Sequence, residues 1–282
     1  MKKFWKIFLI ESIFFAFALL LGIFVTLRLE ELFQIAEAGS VNNQQGISPF
    51  GFLIYFILAT AFVYFISQSD KFKKSRVFFF RLAFLFSVGL GGFLTLSTIV
   101  FEILALSIIV ILISAWKRRP IILLHNFLVT ISIAGIGAVI GRQFNPLVIA
   151  VLLTVFSVYD FIAVYKTKHM VKMASEMIKT KAIMGIIVPF SFSGLLTNLQ
   201  EKEKEEFMVL GGGDLAFPLF LTSSVVLAYG LSEAIIVTVF ALFGLFGSFY
   251  IFNSQKEKRA IPALPPIALG ALVGYLLLLI LM

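Results

Sequence analysis

Long apolar runs separated by short polar breaks dominate the chain. Within the runs, apolar residues occupy every face of a helix rather than one stripe, as in a helix surrounded by apolar material. A helix needs about 20 mostly apolar residues to cross the hydrocarbon of a bilayer. The pattern predicts nine such spans, at 7–27, 50–68, 77–96, 98–116, 121–141, 146–165, 209–230, 233–252 and 262–281. The third and fourth are separated only by the weak turn signal in "GLGGFLTLSTIVF". The expected fold is an all-α polytopic membrane protein.

The stretch 166–208 interrupts this rhythm. It divides the chain into a six-helix part (1–165), a loop (166–208) and a three-helix part (209–282). In "KTKHMVKMASEMIKTK", Met170, Met173, Ala174 and Met177 share one helical face, which predicts an amphipathic helix lying along the membrane. "AIMGIIVPFSFSGLL" is apolar but too short to span comfortably, and "NLQEKEKEEF" reads as a mobile charged stretch.

Composition supports the membrane assignment. Of 282 residues, 60% are hydrophobic and 13% charged, against about a quarter charged in soluble domains. The first apolar run is too long for a signal-peptide core and has no small-residue cleavage site after it, so it reads as a first membrane helix. There are no cysteines and only two histidines, His125 and His169. Disulfides and cysteine-ligated metals are excluded, and a histidine-rich metal centre is not expected.

The net charge of +8 points to loop placement rather than to nucleic acid. With the N-terminus cytoplasmic, all of the 23 basic residues except Arg28, Arg81 and Arg142 fall in inner segments. The positive-inside rule then gives a cytoplasmic N-terminus and an external C-terminus. The first outer loop, "RLEELFQIAEAGSVNNQQGISPF", is acidic and polar.

Ionisable groups within spans are costly and are functional candidates by default. Asp160 lies six residues before Lys166, about 9 Å from the inner face, and Asp214 lies five residues after Val209, about 8 Å from it. Two aspartates on consecutive, oppositely directed helices therefore reach one level. A facing pair in a dry site shares a proton and holds a water, with one carboxylate as base and the other as acid. Paired membrane acids equally serve proton or cation transport, so residue chemistry alone leaves hydrolysis and transport level. An inactive protein that binds membrane helices is a weaker third reading. For Glu11 and Glu102 a structural role is expected: Glu11 pairs or snorkels near the inner face, and Glu102 has no partner at matching depth.

Flanking residues add to this. Gly211, Gly212 and Gly213 permit close backbone approach and a late or unwound helix start before Asp214. Pro262, Pro265 and Pro266 hold the start of the last span extended, at the same end of the membrane.

In order along the chain, Tyr159-Asp160 in "VYDFIAVYKTKHM", the Gly-x-Gly-Asp of "LGGGDLAFP" and "PALP" at Pro262, Ala263, Leu264 and Pro265 resemble the presenilin and signal peptide peptidase superfamily of intramembrane aspartyl proteases. The resemblance covers the whole chain, and its length and lack of cysteine are compatible with a microbial homologue. It implies that Asp160 and Asp214 form a catalytic dyad, that no cofactor beyond a catalytic water is used, and that Tyr159, Gly211, Gly212, Gly213 and the Pro262–Pro265 segment position substrate. It also implies a single-span membrane protein or peptide as substrate. The topology matches the presenilin branch rather than its inverted relatives. One departure stands at Gly212, where the family usually carries leucine, and it puts substrate preference near that position in question. No feature implies an accessory subunit or sets an oligomeric state.

For docking an unwound substrate, the three expected extended edges are "AIMGIIVPF", the glycine run and "PALP". The first is expected to pair with substrate.

Overall fold

The computed structural model describes residues 2–37, 48–68, 73–167, 174, 177–178, 183–199, 207–255 and 259–281. Among these, nine helices of sixteen residues or more follow the apolar runs: α1 (Lys2–Glu37), α2 (Pro49–Gln68), α3 (Lys73–Ser97), α4 (Glu102–Arg118), α5 (Ile122–Gln143), α6 (Pro146–Phe161), α7 (Gly212–Ala228), α8 (Leu231–Ser254) and α9 (Leu264–Leu281). Six segments in these helices are long and apolar enough to cross a membrane; α7 is apolar but shorter.

Helix ends differ from the hydrophobic boundaries where local chemistry favours helix beyond the apolar run. Helix α1 continues through "RLEELFQIAE" to Glu37, so the first part of the expected outer loop is helical. Arg28 pairs with Glu31 one turn on, and Arg142 of α5 reaches Glu30 at 2.8 Å while covering the Phe33 ring. The weak turn after the glycine-rich part of α3 breaks the chain at residues 98–101. Glu102 then falls in the first turn of α4, exposed, where a carboxylate complements the helix dipole.

The expected loop 166–208 contains β structure. A five-residue π-helical turn, Ile162–Lys166, ends α6. Strand β1 (Gly185–Pro189) is buried throughout, and β2 (Phe207–Gly211) leads directly into α7. They pair antiparallel, with Gly185 opposite Gly211 and Pro189 opposite Phe207. Between them, residues 192–196 form a 3-10 turn, and Leu199 and Ile122 bond the backbone of Pro120 and Thr197. The loop is thereby fastened to the start of α5. Ala174 and Met177 of the expected amphipathic helix are helical; Met170, Met173 and most of the charged stretch lie outside the described residues.

The core joins the predicted halves of the chain. Helix α1 packs against α5, α7 and α8, and α5 packs against α3 and α7. Leu219 of α7 sits against both Gly22 of α1 and Gly137 of α5, with no room for a Cβ at either glycine. Small residues of this kind let membrane helices approach closely. Gly230, at φ +118°, makes the tight reversal between α7 and α8.

Candidate active site

Helix α6 starts on a well-formed cap. Asn145 accepts a hydrogen bond from Val148 N at 2.9 Å, and Pro146 supplies the first helical residue. The helix then carries Phe156 and, one turn later, Asp160. Helix α7 starts where β2 ends, with Gly211 as its N-cap. Asp214 is the third helical residue, and its Oδ2 accepts from Gly211 N at 3.1 Å. A carboxylate at this position is favoured by the unpaired N–H groups of a helix start.

A ring stack aligns the two helices. Phe156 and Phe217 stack with centroids 4.4 Å apart at 24°. Asp160 follows Phe156 by four residues, and Asp214 precedes Phe217 by three. On antiparallel helices both aspartates therefore lie one turn from the stack, on the same side and toward the same end. Asp160 is only 5% exposed and Asp214 is half-buried.

The last helix contributes through its first N–H. Pro265 and Pro266 remove two of the donors that a helix start leaves unpaired. Of the donors that remain, Leu264 N donates to Asp160 Oδ2 at 3.3 Å. Leu264 is buried at 2% exposure. The "PALP" segment is thus drawn to the aspartates through a main-chain group rather than a side chain. Tyr159 is half-buried next to Asp160, and Pro262 is buried.

Two residues in the middle of the chain escaped the sequence reading. Asn126 of α5 grips β1 along the edge that β2 leaves free. Its Nδ2 donates to Ile187 O and its Oδ1 accepts from Ile187 N, both at 2.8 Å. His125 Nε2 donates to Gly185 O at 3.2 Å, and Phe84 stacks on the imidazole. The side-chain amide serves as a third strand. Nothing near Asn126 in the sequence signals this, because its partner is 61 residues away. Truncation in Asn126→Ala leaves two buried backbone groups unpaired, a cost of about 2–4 kcal/mol. Amide exchange of Ile187 is expected to accelerate clearly in that variant, and unchanged exchange would show that the grip is dispensable.

Gly212 lies where β1's approach meets α7. Its N–H donates to Met184 O at 2.9 Å, and a Cβ there would also lie 2.9 Å from that oxygen. Beside Gly212 and Gly213 a cavity of about 250 Å³ opens between α3, α5 and α7. Phe84, Val88, Val129 and Ile133 give it apolar walls. Among the described residues, no three His, Cys, Asp or Glu side chains converge as metal ligands.

The family model described as signal-peptide peptidase, presenilin aspartyl protease matches residues 15–282. The chain belongs to this family. It is therefore a multi-pass intramembrane aspartyl protease, in keeping with its membrane-length helices. Two solved structures of a presenilin family intramembrane aspartate protease share its fold. The one in space group C222 has a TM-score of 0.62 and 22% identity over 97% of each chain. The one in space group P2 has a TM-score of 0.55 and 21% identity over 96% of each. A comparison with curated proteins gave no match. Within this presenilin-like fold, the three segments singled out by sequence meet at one place: the end of α6, the start of α7 and the start of α9.

Proposed function

We propose that this presenilin-family protease hydrolyses peptide bonds of single-span membrane substrates inside the bilayer, with Asp160 and Asp214 as the water-activating pair. The observation that carries this reading is the Phe156–Phe217 stack, which turns both carboxylates to one side at one level. One carboxylate takes a proton from water as the oxygen attacks the scissile carbonyl carbon. The other, protonated, gives its proton to the carbonyl oxygen. The tetrahedral intermediate collapses as the nitrogen is protonated, releasing an amine and an acid. The pair acts as a unit, so the roles interchange between steps. Leu264 N holds Asp160 at one oxygen and leaves the other for water.

A membrane helix bonds its own backbone and must unwind to be cut. Its freed groups then need partners, which a sheet edge supplies. The expectation that "AIMGIIVPF" offers that edge does not hold: β2 occupies one side of β1, and Asn126 with His125 occupies the other. The free edge belongs to β2. The Gly212-to-Met184 bond sets the hydrogen-bonded pairs at even residues of the ladder. Val209 N–H and C=O therefore point away from β1, and they have no partner among the described residues. This edge leads directly to Asp214. With the nine spans expected from the apolar runs and the cytoplasmic N-terminus and external C-terminus expected from charge, this edge would lie toward the cytoplasmic side, from which water would reach the pair. The cavity at Gly212 and Gly213 leaves room for an apolar substrate segment to approach.

Purified protein incubated with a single-span substrate is expected to yield two fragments, blocked by a transition-state analogue of aspartyl proteases. Ion flux in proteoliposomes without fragments would favour the transport reading instead.

A further inference from the structure

Helices α3 and α4 run antiparallel from the turn at residues 98–101, and a ring contact fixes their register at the open end of the pair. Phe84 of α3 and Trp116 of α4 have centroids 4.9 Å apart. Arg81 precedes Phe84 by three residues, and Arg119 follows Trp116 by three. Each arginine therefore lies about one turn beyond its ring, on the ring's side of its helix and toward the same end of the pair. Arg119 is still tied to α4, since its N–H donates to Ala115 O at 2.9 Å. Both arginines are exposed, as are Lys117 and Arg118 in the last turn of α4.

Four cations at one level repel one another, and the neighbouring elements offer no acid. Helix α3, helix α5 and the stretch 183–199 contain none, and Glu102 of α4 lies at that helix's other end. The next acid along the loop is Glu201. The helix dipole accounts for Lys117 and Arg118 at a helix C-terminus. It does not account for Arg81 on a helix that also opens with Lys73, Lys74 and Arg76. The positive-inside rule counts such residues but does not converge them on one contact.

Guanidinium groups from two helices match the oxygens of a phosphate, which each can grip through two N–H groups. The location selects the source of that phosphate. Arg81 stands near the start of the membrane-length segment Phe78–Ser97, and the exposed Leu82 and Phe86 continue from it along the apolar part of α3. A headgroup at the arginines would lay its chains on those side chains. Basic clusters between membrane helices select anionic headgroups.

The turn that carries Arg119 also holds the loop of the small sheet. Ile121 N donates back to Arg119 O at 2.9 Å around the buried Pro120. Pro120 O accepts from Leu199 N at 2.8 Å, and Ile122 N donates to Thr197 O at 3.2 Å. The stretch 183–199 contains β1, and through the ladder it supports β2.

We propose that Arg81 and Arg119, flanked by Lys117 and Arg118, bind the phosphate of an anionic phospholipid headgroup, which steadies the turn on which the β1 loop is fastened. The site is separate from the aspartates and does not depend on the proposed dyad.

The test titrates detergent-solubilised protein with phosphatidylglycerol, phosphatidylcholine or inorganic phosphate. Lipid retention is read by native mass spectrometry, and the amide exchange of Leu199 is followed in parallel. Wild type is expected to retain phosphatidylglycerol over phosphatidylcholine, with slower exchange at Leu199 when it is bound. The variant Arg81→Gln/Arg119→Gln is expected to bind phosphatidylglycerol on the order of tenfold more weakly, and the exposed control Lys6→Gln/Arg259→Gln to stay within about twofold of wild type, since each basic residue near an anionic headgroup contributes about fivefold. Arg81→Lys/Arg119→Lys keeps the charges but not the forks; it is expected to fall between, and it carries the test if the Gln variant unfolds. Equal retention by the Gln variant and wild type would overturn the proposal. So would an equal loss in the control, which would make the effect one of diffuse charge, or an equal slowing of Leu199 by inorganic phosphate, which would make the ligand a soluble anion. Wild type that holds both lipids equally would also overturn it, and would leave the cations to the acids that begin at Glu201.

Discussion

Asp160→Asn and Asp214→Asn are each expected to reduce cleavage on the order of a thousandfold or more, to the detection limit. General acid–base chemistry contributes roughly 10²–10⁴ per group, and neither role survives when one carboxylate becomes an amide. The structural contacts do survive. Asparagine Oδ1 can still accept from Leu264 N at position 160 and from Gly211 N at position 214. Thermal unfolding of both variants should therefore stay close to wild type while turnover is lost. The double variant is expected to be no worse than either single one, because the pair acts as a unit. Retention of more than a tenth of wild-type activity in either variant would remove the dyad assignment.

Val209→Pro is expected to raise KM about tenfold or more while leaving the β1–β2 ladder intact. Val209 faces Ile187 in a pair that exchanges no hydrogen bonds, so its N–H is turned outward. Proline removes that single donor and is tolerated at a strand edge whose N–H faces away from the sheet. A substrate strand added to β2 would lose one backbone bond and leave its own carbonyl unpaired, which accounts for the tenfold scale. Hydrogen exchange at Ile186 and Leu210, in the bonded pair, reports whether the ladder persists. Unchanged cleavage with an intact ladder would exclude the β2 edge as the docking strand.

Much of the site is legible along the chain because the bilayer restricts the options. An apolar run of sufficient length is a helix, and helical rise converts residue counts into depth. Asp160 and Asp214 could therefore be levelled from their distances to Lys166 and Val209 alone. The glycines before Asp214 also signalled an extended approach, and β2 runs to Gly211 before α7 begins. Helix ends were less legible. "RLEELFQIAE" stops being apolar at Arg28 but remains a good helix former, so α1 outlasts its hydrophobic run.

Edge assignment in the small sheet was not legible at all. "AIMGIIVPF" reads as an available strand, and only the fold reveals that Asn126 closes its outer side. Glu11 was misread for a similar reason. Near a cytoplasmic lysine cluster it resembles a snorkelling acid, whereas α1 is packed against α5, α7 and α8 so that the carboxyl cannot reach water directly, and its Oε2 has no hydrogen-bond partner among the described residues. Gly212 changes meaning as well. By sequence it is a substituted motif position; in the fold it donates to Met184 O and borders the cavity between α3, α5 and α7.

The sequence by itself determined the membrane class, the two aspartates and their common depth, because hydrophobic length and helical rise are local properties of a chain in lipid. Tertiary structure alone decided which way the aspartates face, which strand edge is open and which acid is left unpartnered. Those depend on contacts between residues far apart in the chain, such as Phe156 with Phe217, Asn126 with Ile187 and Thr26 with Ser223. No local preference encodes them; they exist only once the helices have packed.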